Sequence, residues 1–251
     1  MNRPVFSRIA LLALLALLLG AAPAVAFSQA GAPVQIREWQ VPWPDTRPRD
    51  PAVAPDGRIW FTMQRGNAIG RIDMVSGAIR VIPVPSRGAL PYGILADDDG
   101  RAWAVLLGSN RLATVTPETH ELAEIELPRA QARLRRVGLT DDGRVWYGDF
   151  TQGYIGAYDP ADGVFEEWKT PSDRSGPYAM TTDDRGRVWF VETGPQPNLL
   201  QGFDPASGKF LPATAIPSDG RSVRHMVFDP NTRSLWFGTD TNRLARARVP
   251  D

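Results

Sequence analysis

Five tryptophans recur in the same local sequence, and they set the strongest limit on how this chain can fold. Successive copies are 43, 43, 43 and 47 residues apart, each inside a stretch such as "DDGRAWAVL" or "DRGRVWFVE". The five are Trp60, Trp103, Trp146, Trp189 and Trp236. A repeat of this size cannot bury its apolar face alone and must stack on its neighbours. The spacing therefore predicts five structural repeats.

Each repeat has the pattern of four short strands. In the second repeat these are "YGILA", "RAWAVLL", "RLATVT" and "LAEIELP", separated by Asp/Gly or Glu/Thr turns. Alternating apolar residues with β-branched and aromatic side chains favour strands, and no helical period appears. Four-stranded units of about 40–45 residues are typical of propeller blades. We predict an all-β fold, a five-bladed β-propeller of four-stranded antiparallel blades.

The two ends of the repeat region suggest how the ring closes. The last repeat runs to "RLARARVP" and lacks a fourth strand, whereas "IREWQVP" near the N-terminus matches "FEEWKTP" of the third repeat. We therefore expect the N-terminal strand, near residues 36–41, to pair beside residues 244–249 and complete the last blade. Such closure removes an open sheet edge.

The first residues have the composition of an export signal. A basic start is followed by "IALLALLALLLG", which is too short to span a bilayer, and by "AVA" at a suitable cleavage position. We predict a signal peptide over 1–26, a propeller domain over 27–251 and export to the periplasm or the medium, with no membrane span after cleavage. An uncleaved anchor is the alternative. With no cysteine and a net charge of +0, we expect a monomer held by its core that binds no nucleic acid.

Acidic clusters precede the tryptophans, and one of them, Asp183-Asp184-Arg185-Gly186, resembles part of a metal loop. Related clusters occur at Asp97-Asp98-Asp99-Gly100 and Asp141-Asp142-Gly143, and none continues to the glutamate of an EF-hand. Asp and Gly are also the residues that tight hairpins require. We interpret these clusters as turns.

Residues that differ between repeats at equivalent positions point to a site at the channel mouth. Eleven residues before the tryptophans stand Arg49, Tyr92, Arg135, Tyr178 and His225, and three after them stand Met63, Leu106, Asp149, Glu192 and Thr239. Folding at the turn places the start of each inner strand opposite the end of the second strand, so the two sets lie at the same end of the blades. Histidine and carboxylates in one ring can act as base, orienting group or cation ligands. A rim of solvated salt bridges is the alternative.

The loops that lead into the inner strands contain more Arg than Asp, as in "PRAQARLRR". Arginine binds carboxylate or phosphate through two parallel hydrogen bonds. We therefore predict a positive funnel face that binds a small-molecule or peptide ligand, with Arg49, Tyr92 and Arg135 as substrate-binding residues and an anion as the favoured ligand. Arginines that only keep the loops soluble are the alternative.

In these motifs the chain resembles the streptogramin (virginiamycin B) lyase family. The resemblance rests on "GPYAMTTDDRGRVWFVE…GFDPASGKF" and on the shorter "DGRIWFTM…IGRIDMVSG", and it covers nearly all of 27–251. It implies a β-propeller and a carbon–oxygen lyase that opens a cyclic depsipeptide lactone by Mg²⁺-assisted elimination.

Carried over residue by residue, the resemblance implies His225, Glu192 and Tyr178 as catalytic residues and Glu192 and Asp149 as Mg²⁺ ligands. Tyr178 stands where the family has a second histidine, and the chain is about two blades shorter than the seven-bladed lyases. A non-catalytic exported propeller that binds a ligand or protein is the alternative function. Metal-dependent sugar lactonases are a further enzymatic alternative.

Overall fold

The computed structural model describes residues 36–250, and these form strands and turns with no helix. The chain divides into two compact units, Met1–Trp39 and Gln40–Asp251. Of the first unit, residues 36–39 are described and contain no strand. The predicted signal peptide and its boundary at residue 26 lie outside the described residues. No helix able to cross a membrane occurs within 36–250.

The first three blades each contain four strands in the expected antiparallel order. Blade one consists of β1 (Pro48–Val53), β2 (Ile59–Met63), β3 (Ala68–Ile72) and β4 (Ile79–Pro83). Blade two consists of β5 (Pro91–Ala96), β6 (Ala102–Leu106), β7 (Arg111–Val115) and β8 (Leu122–Glu126). Blade three consists of β9 (Leu134–Leu139), β10 (Val145–Asp149), β11 (Tyr154–Asp159) and β12 (Val164–Lys169).

The last two blades differ in their outer strands. Blade four consists of β13 (Pro177–Thr182), β14 (Val188–Glu192), β15 (Leu199–Asp204) and a divided outer strand, β16 (Lys209–Phe210) and β17 (Thr214–Ala215), whose two parts both pair with β15. Blade five contains three described strands, β18 (Met226–Asp229), β19 (Ser234–Thr239) and β20 (Arg243–Arg248). The five-bladed propeller is confirmed, and within residues 36–250 the last blade has three strands.

Acidic turn residues organise the hairpins, as the sequence predicts. In blade four, Asp183 Oδ1 accepts hydrogen bonds from the backbone N–H groups of Arg185 and Arg187, both at 3.0 Å. Its Oδ2 accepts from Trp189 Nε1 at 2.8 Å, so the turn also fixes the blade tryptophan. Gly186 has φ 71°, a backbone angle that suits glycine. This cluster is hairpin chemistry rather than a calcium loop.

Buried clusters of side chains hold successive blades together. Ile69 of blade one packs with Leu106 of blade two, and a second cluster joins blades two and three. Trp146 and Phe190 belong to the cluster between blades three and four, and a fourth cluster joins blades four and five. Within the described residues no comparable cluster joins blade five to blade one, and Leu244 on β20 is 76% exposed.

The predicted closing strand lies near residues 36–41, which are described and form no strand. The residues before 36 lie outside the described part of the chain, so closure stays a prediction. We expect deletion of residues 27–42 to lower the melting temperature by about 5 °C or more, because the deletion leaves the edge of β20 open. Differential scanning calorimetry of the deletion variant beside a variant that lacks only residues 1–26 measures this. Equal melting temperatures for the two variants would refute the closure.

Candidate functional site

The first residues of the inner strands surround one end of the central channel, and we call five of them the funnel mouth. They are Arg49, Tyr92, Arg135, Tyr178 and Arg224. Four of the five were predicted from the repeat. The fifth blade supplies an arginine where the sequence analysis expected His225.

A shift of one residue in blade five explains this difference. In blade four, Phe190, one residue after the tryptophan, pairs with Met180, nine residues before it. In blade five, Phe237 pairs with Met226, which is ten residues before Trp236. The turn of this hairpin is therefore one residue longer than in blade four.

The longer turn moves the last blade's residues relative to the other blades. Arg224 takes the position equivalent to Tyr178, and His225 takes the position equivalent to Arg136, one residue further into the channel. The expectation that His225 lies on the ring of the funnel mouth was therefore wrong by one residue. Arg224 is exposed and forms an ion pair with Asp240.

Two tyrosines from blades on either side of blade three meet at the mouth. The hydroxyls of Tyr92 and Tyr178 lie 2.6 Å apart, and Arg49 Nη2 donates to Tyr92 Oη at 2.9 Å. Burial, helped by the hydrogen bond to Tyr92, raises the pKa of Tyr178 to about 12. Tyr178 is therefore protonated at neutral pH and is suited to donate a hydrogen bond rather than to act as a base.

Arg135 lies against aromatic rings, and no acidic residue of the described part of the chain pairs with it. Its guanidinium carbon is 4.6 Å from the ring centre of Phe150, 5.2 Å from that of Tyr178 and 5.6 Å from that of Tyr92. It forms no ion pair within residues 36–250, and its buried Nε has no hydrogen-bond partner there. Arg49 bonds to Gln64 Oε1 at 3.4 Å and to Tyr92, and no carboxylate among the described residues pairs with it.

A second layer of charge lies just inside the mouth. Arg136 of blade three forms an ion pair with Asp50 of blade one, and its Nε donates to the Arg224 carbonyl of blade five at 2.7 Å. Since blade three lies opposite blades one and five in a five-membered ring, this side chain crosses the channel. His225 lies in the same layer. Burial and the neighbouring charge of Arg136 lower the pKa of His225.

Asp149, a predicted metal ligand, is fully buried and already bonded. Arg129 Nη1 lies 2.7 Å from Asp149 Oδ2, and Arg129 Nη2 lies 2.7 Å from Glu167 Oε1. Asp149 Oδ1 also accepts from the backbone N–H groups of Arg133 at 3.1 Å and Thr151 at 3.0 Å. Arg129 was not predicted as a site residue, and its only signal in the sequence is the basic loop before β9.

Glu192 is also fully buried, and it faces a loop rather than the channel. Ser172 Oγ donates to Glu192 Oε2, and Ser172 N–H lies 3.4 Å from Glu192 Oε1. Within the described residues no hydrogen bond or ion pair connects Glu192 or Asp149 to His225. The two predicted metal ligands are therefore tied to separate loops.

These positions bear on the Mg²⁺ that the resemblance implies. Within residues 36–250 no group of three or more His, Cys, Asp or Glu side chains is placed to hold a metal ion. Asp149 is neutralised by Arg129, and His225 lies beside the cation of Arg136. The described residues therefore do not fit a preformed Mg²⁺ site.

Comparisons with known proteins agree with the fold. The structure of virginiamycin B lyase from Staphylococcus aureus matches with a TM-score of 0.75 and 25% identity, over 86% of this chain and 75% of that one. A catalytically inactive variant of that enzyme with quinupristin also matches, with a TM-score of 0.75 and 25% identity over 84% of this chain and 73% of the other. A gluconolactonase from Xanthomonas campestris shares the fold, with a TM-score of 0.61 and 16% identity over 82% of this chain and 73% of that one.

No curated protein matches the chain significantly. A family model does match, and it covers residues 25–196, which is more than half of the sequence. The matched region contains the first four repeat tryptophans and four of the five residues of the funnel mouth. The chain therefore belongs to the Virginiamycin B lyase family.

Proposed function

We propose that the protein is a ligand-binding propeller whose funnel mouth captures a small molecule or peptide that carries a carboxylate. The observation that supports this most is Arg135. Its guanidinium is partly buried over three aromatic rings and has no acidic partner within the described residues. The neighbouring Arg136 is instead paired with Asp50.

A ligand carboxylate would complete this arrangement. A desolvated guanidinium without an anion is unfavourable, and a carboxylate can accept two parallel hydrogen bonds from it. The Tyr92–Tyr178 pair provides neutral hydroxyl donors beside the cation, and Arg49 is hydrogen-bonded to that pair. The mouth thus combines aromatic surface with two arginines that no described carboxylate neutralises, which favours an anionic ligand with a flat or sugar-like body.

Trigalacturonate and its fully methyl-esterified counterpart form a matched pair of probes that differ in charge. We expect calorimetry to detect binding of the acid and not of the ester, and we expect higher salt to weaken it. Arg135→Ala should weaken this binding about 10- to 100-fold, because a hydrogen bond to a charged group contributes about 1.5–3 kcal/mol.

Arg185→Ala is the control for loss of one positive charge. Arg185 is exposed in the turn of blade four, at the opposite end of the inner strand from the mouth. If Arg185→Ala weakens binding as much as Arg135→Ala, or if acid and ester bind alike at every salt concentration, the proposed site is wrong.

A second candidate function is lyase activity on a cyclic ester, which is favoured by the family membership and by the 25% identity to virginiamycin B lyase. In such an elimination a base removes a proton beside a carbonyl, the carbon–oxygen bond of the ester breaks, and the oxygen leaves as a carboxylate. His225 lies in the channel, and its lowered pKa keeps the neutral, basic form at neutral pH. Arg135 would then bind the released carboxylate at the mouth.

Mass spectrometry of a cyclic depsipeptide lactone incubated with the protein tests this activity, with magnesium and with chelator. Elimination gives a linear product with the mass of the substrate, whereas hydrolysis adds one water. We expect His225→Ala to slow turnover about 10²- to 10⁴-fold. His120→Ala is the control, because His120 lies in an outer turn, where its Nε2 is 3.0 Å from Arg71 Nη1.

Turnover that persists in His225→Ala would exclude His225 as the base. Addition of water to the product would favour the lactonase alternative. An intact lactone together with saturable carboxylate binding at the mouth would leave the binding function alone.

A further inference from the structure

Beyond Arg136 lies a cavity that the proposed carboxylate site does not use, although His225, the candidate base of the lyase function, is part of its lining. It has a volume of about 780 Å³ and is lined by all five inner strands. Its lining runs from the layer of Asp50, Arg136 and His225 to the far ends of the strands, near Ala96 and Thr182. These ends lead into the Asp/Gly turns, so the cavity lies on the side of the propeller opposite the funnel mouth. We call it the turn-side chamber.

The side chain of Arg136 separates the chamber from the mouth. Arg136 is 7% exposed and is held across the channel by Asp50 and by the Arg224 carbonyl. Gly93 allows the inner strands of blades two and three to lie close together, because a Cβ on residue 93 would lie 2.8 Å from the Arg135 carbonyl oxygen. Arg136 therefore forms the floor of the chamber.

The walls of the chamber are largely apolar. Val53 is 71% exposed, Val227 is 48% exposed and Leu95 is 36% exposed, and all three line this cavity. Ile94 and Met226 extend the apolar surface. Exposed apolar surface gathered in a cavity is typical of a small-molecule site, and cavities of about 300–1,000 Å³ hold drug-sized ligands.

The floor determines which charge the ligand can carry. Asp50 and Arg136 neutralise each other through their ion pair, so neither sign of charge is left for a ligand. His225 is the remaining titratable side chain in the lining, and its neutral ring both donates and accepts a hydrogen bond. The chamber thus offers apolar walls and one neutral hydrogen-bonding group.

We propose that the turn-side chamber binds an uncharged, mainly apolar small molecule that presents one hydrogen-bonding group to His225. This site is distinct from the carboxylate site at the mouth and does not depend on it. Because Arg136 lies between the two sites, we expect a substitution in one site to leave ligand binding at the other site unchanged.

N-phenyl-1-naphthylamine is a suitable probe, because it is uncharged and fluoresces strongly in apolar surroundings. We expect the full chain to bind one equivalent saturably, and we expect Val53→Asp and Val227→Asp each to raise the Kd at least tenfold. Val75→Asp is the matched control, since Val75 is 93% exposed in the β3–β4 turn of the same blade as Val53. It should leave the Kd unchanged, and so should Arg135→Ala at the mouth.

Val53→Thr and Val227→Thr, which keep the side-chain shape, are the second pair if an aspartate variant does not fold, and they should raise the Kd about threefold. Absence of saturable binding would overturn the proposal. This is also the result expected if another segment of the chain fills the chamber. Equal weakening by Val75→Asp, or weakening by Arg135→Ala alone, would also overturn it.

Discussion

Replacing Trp146 by alanine is expected to lower the free energy of unfolding by about 3–5 kcal/mol. The indole is fully buried between blades three and four, where it stacks on Trp168 with ring centres 5.5 Å apart and packs on Phe203 at 5.8 Å. Its Nε1 also donates to Thr140 Oγ1 at 3.1 Å. The truncation thus removes both a large apolar contact and the partner of a turn residue.

Trp236→Ala is the matched control for this prediction. Trp236 occupies the same repeat position in blade five, but it is only half-buried and has Arg246 over its ring at 5.8 Å. Urea unfolding should show a clearly smaller loss for this variant. Equal losses would mean that the burial seen between blades three and four does not determine stability there.

Asp149→Ala is expected to destabilise the protein by about 3–5 kcal/mol, because it leaves Arg129 without one of its two carboxylates. It also removes the acceptor for the backbone N–H groups of Arg133 and Thr151. Burial raises the pKa of Tyr147, whose hydroxyl donates to Glu167 Oε1 at 3.1 Å. The carboxylates and Arg129 therefore form one buried network between loops and strands.

Glu126→Ala provides the comparison for Asp149. Glu126 pairs with Arg111 at 2.7 Å, but its side chain is 67% exposed, so its loss should cost about 0–1 kcal/mol. The experiment also separates two roles for Asp149. A variant that keeps its stability and loses only magnesium-dependent activity would support the predicted metal role and contradict the structural one.

The sequence was sufficient to predict the architecture because each blade repeats the same physical solution. Three features recur in the blades: the tryptophan in the second strand, the Asp/Gly turn before it and the alternation of apolar residues. A strand that is hard to recognise in one repeat can therefore be assigned from the other repeats. The turn around Asp183 shows this well, since one carboxylate bonds both the turn backbone and the blade tryptophan.

The site was harder to predict, because it depends on features that do not repeat. One extra residue in the turn of blade five moves His225 inward and brings Arg224 to the mouth. The apolar strand residues "HMVFD" and "SLWFG" could have revealed the shift, whereas counting from the tryptophan could not. Burial of Asp149 and Glu192 depends on loop residues such as Arg129 and Ser172, which have no fixed place in the repeat.

The most direct test of the binding function is a crystal structure of the protein with trigalacturonate bound. The structure should show one carboxylate within hydrogen-bond distance of the Arg135 guanidinium, near the Tyr92 and Tyr178 hydroxyls. A well-ordered ligand elsewhere, with Arg135 still lying unpaired over the aromatic rings, would contradict the carboxylate site at the funnel mouth.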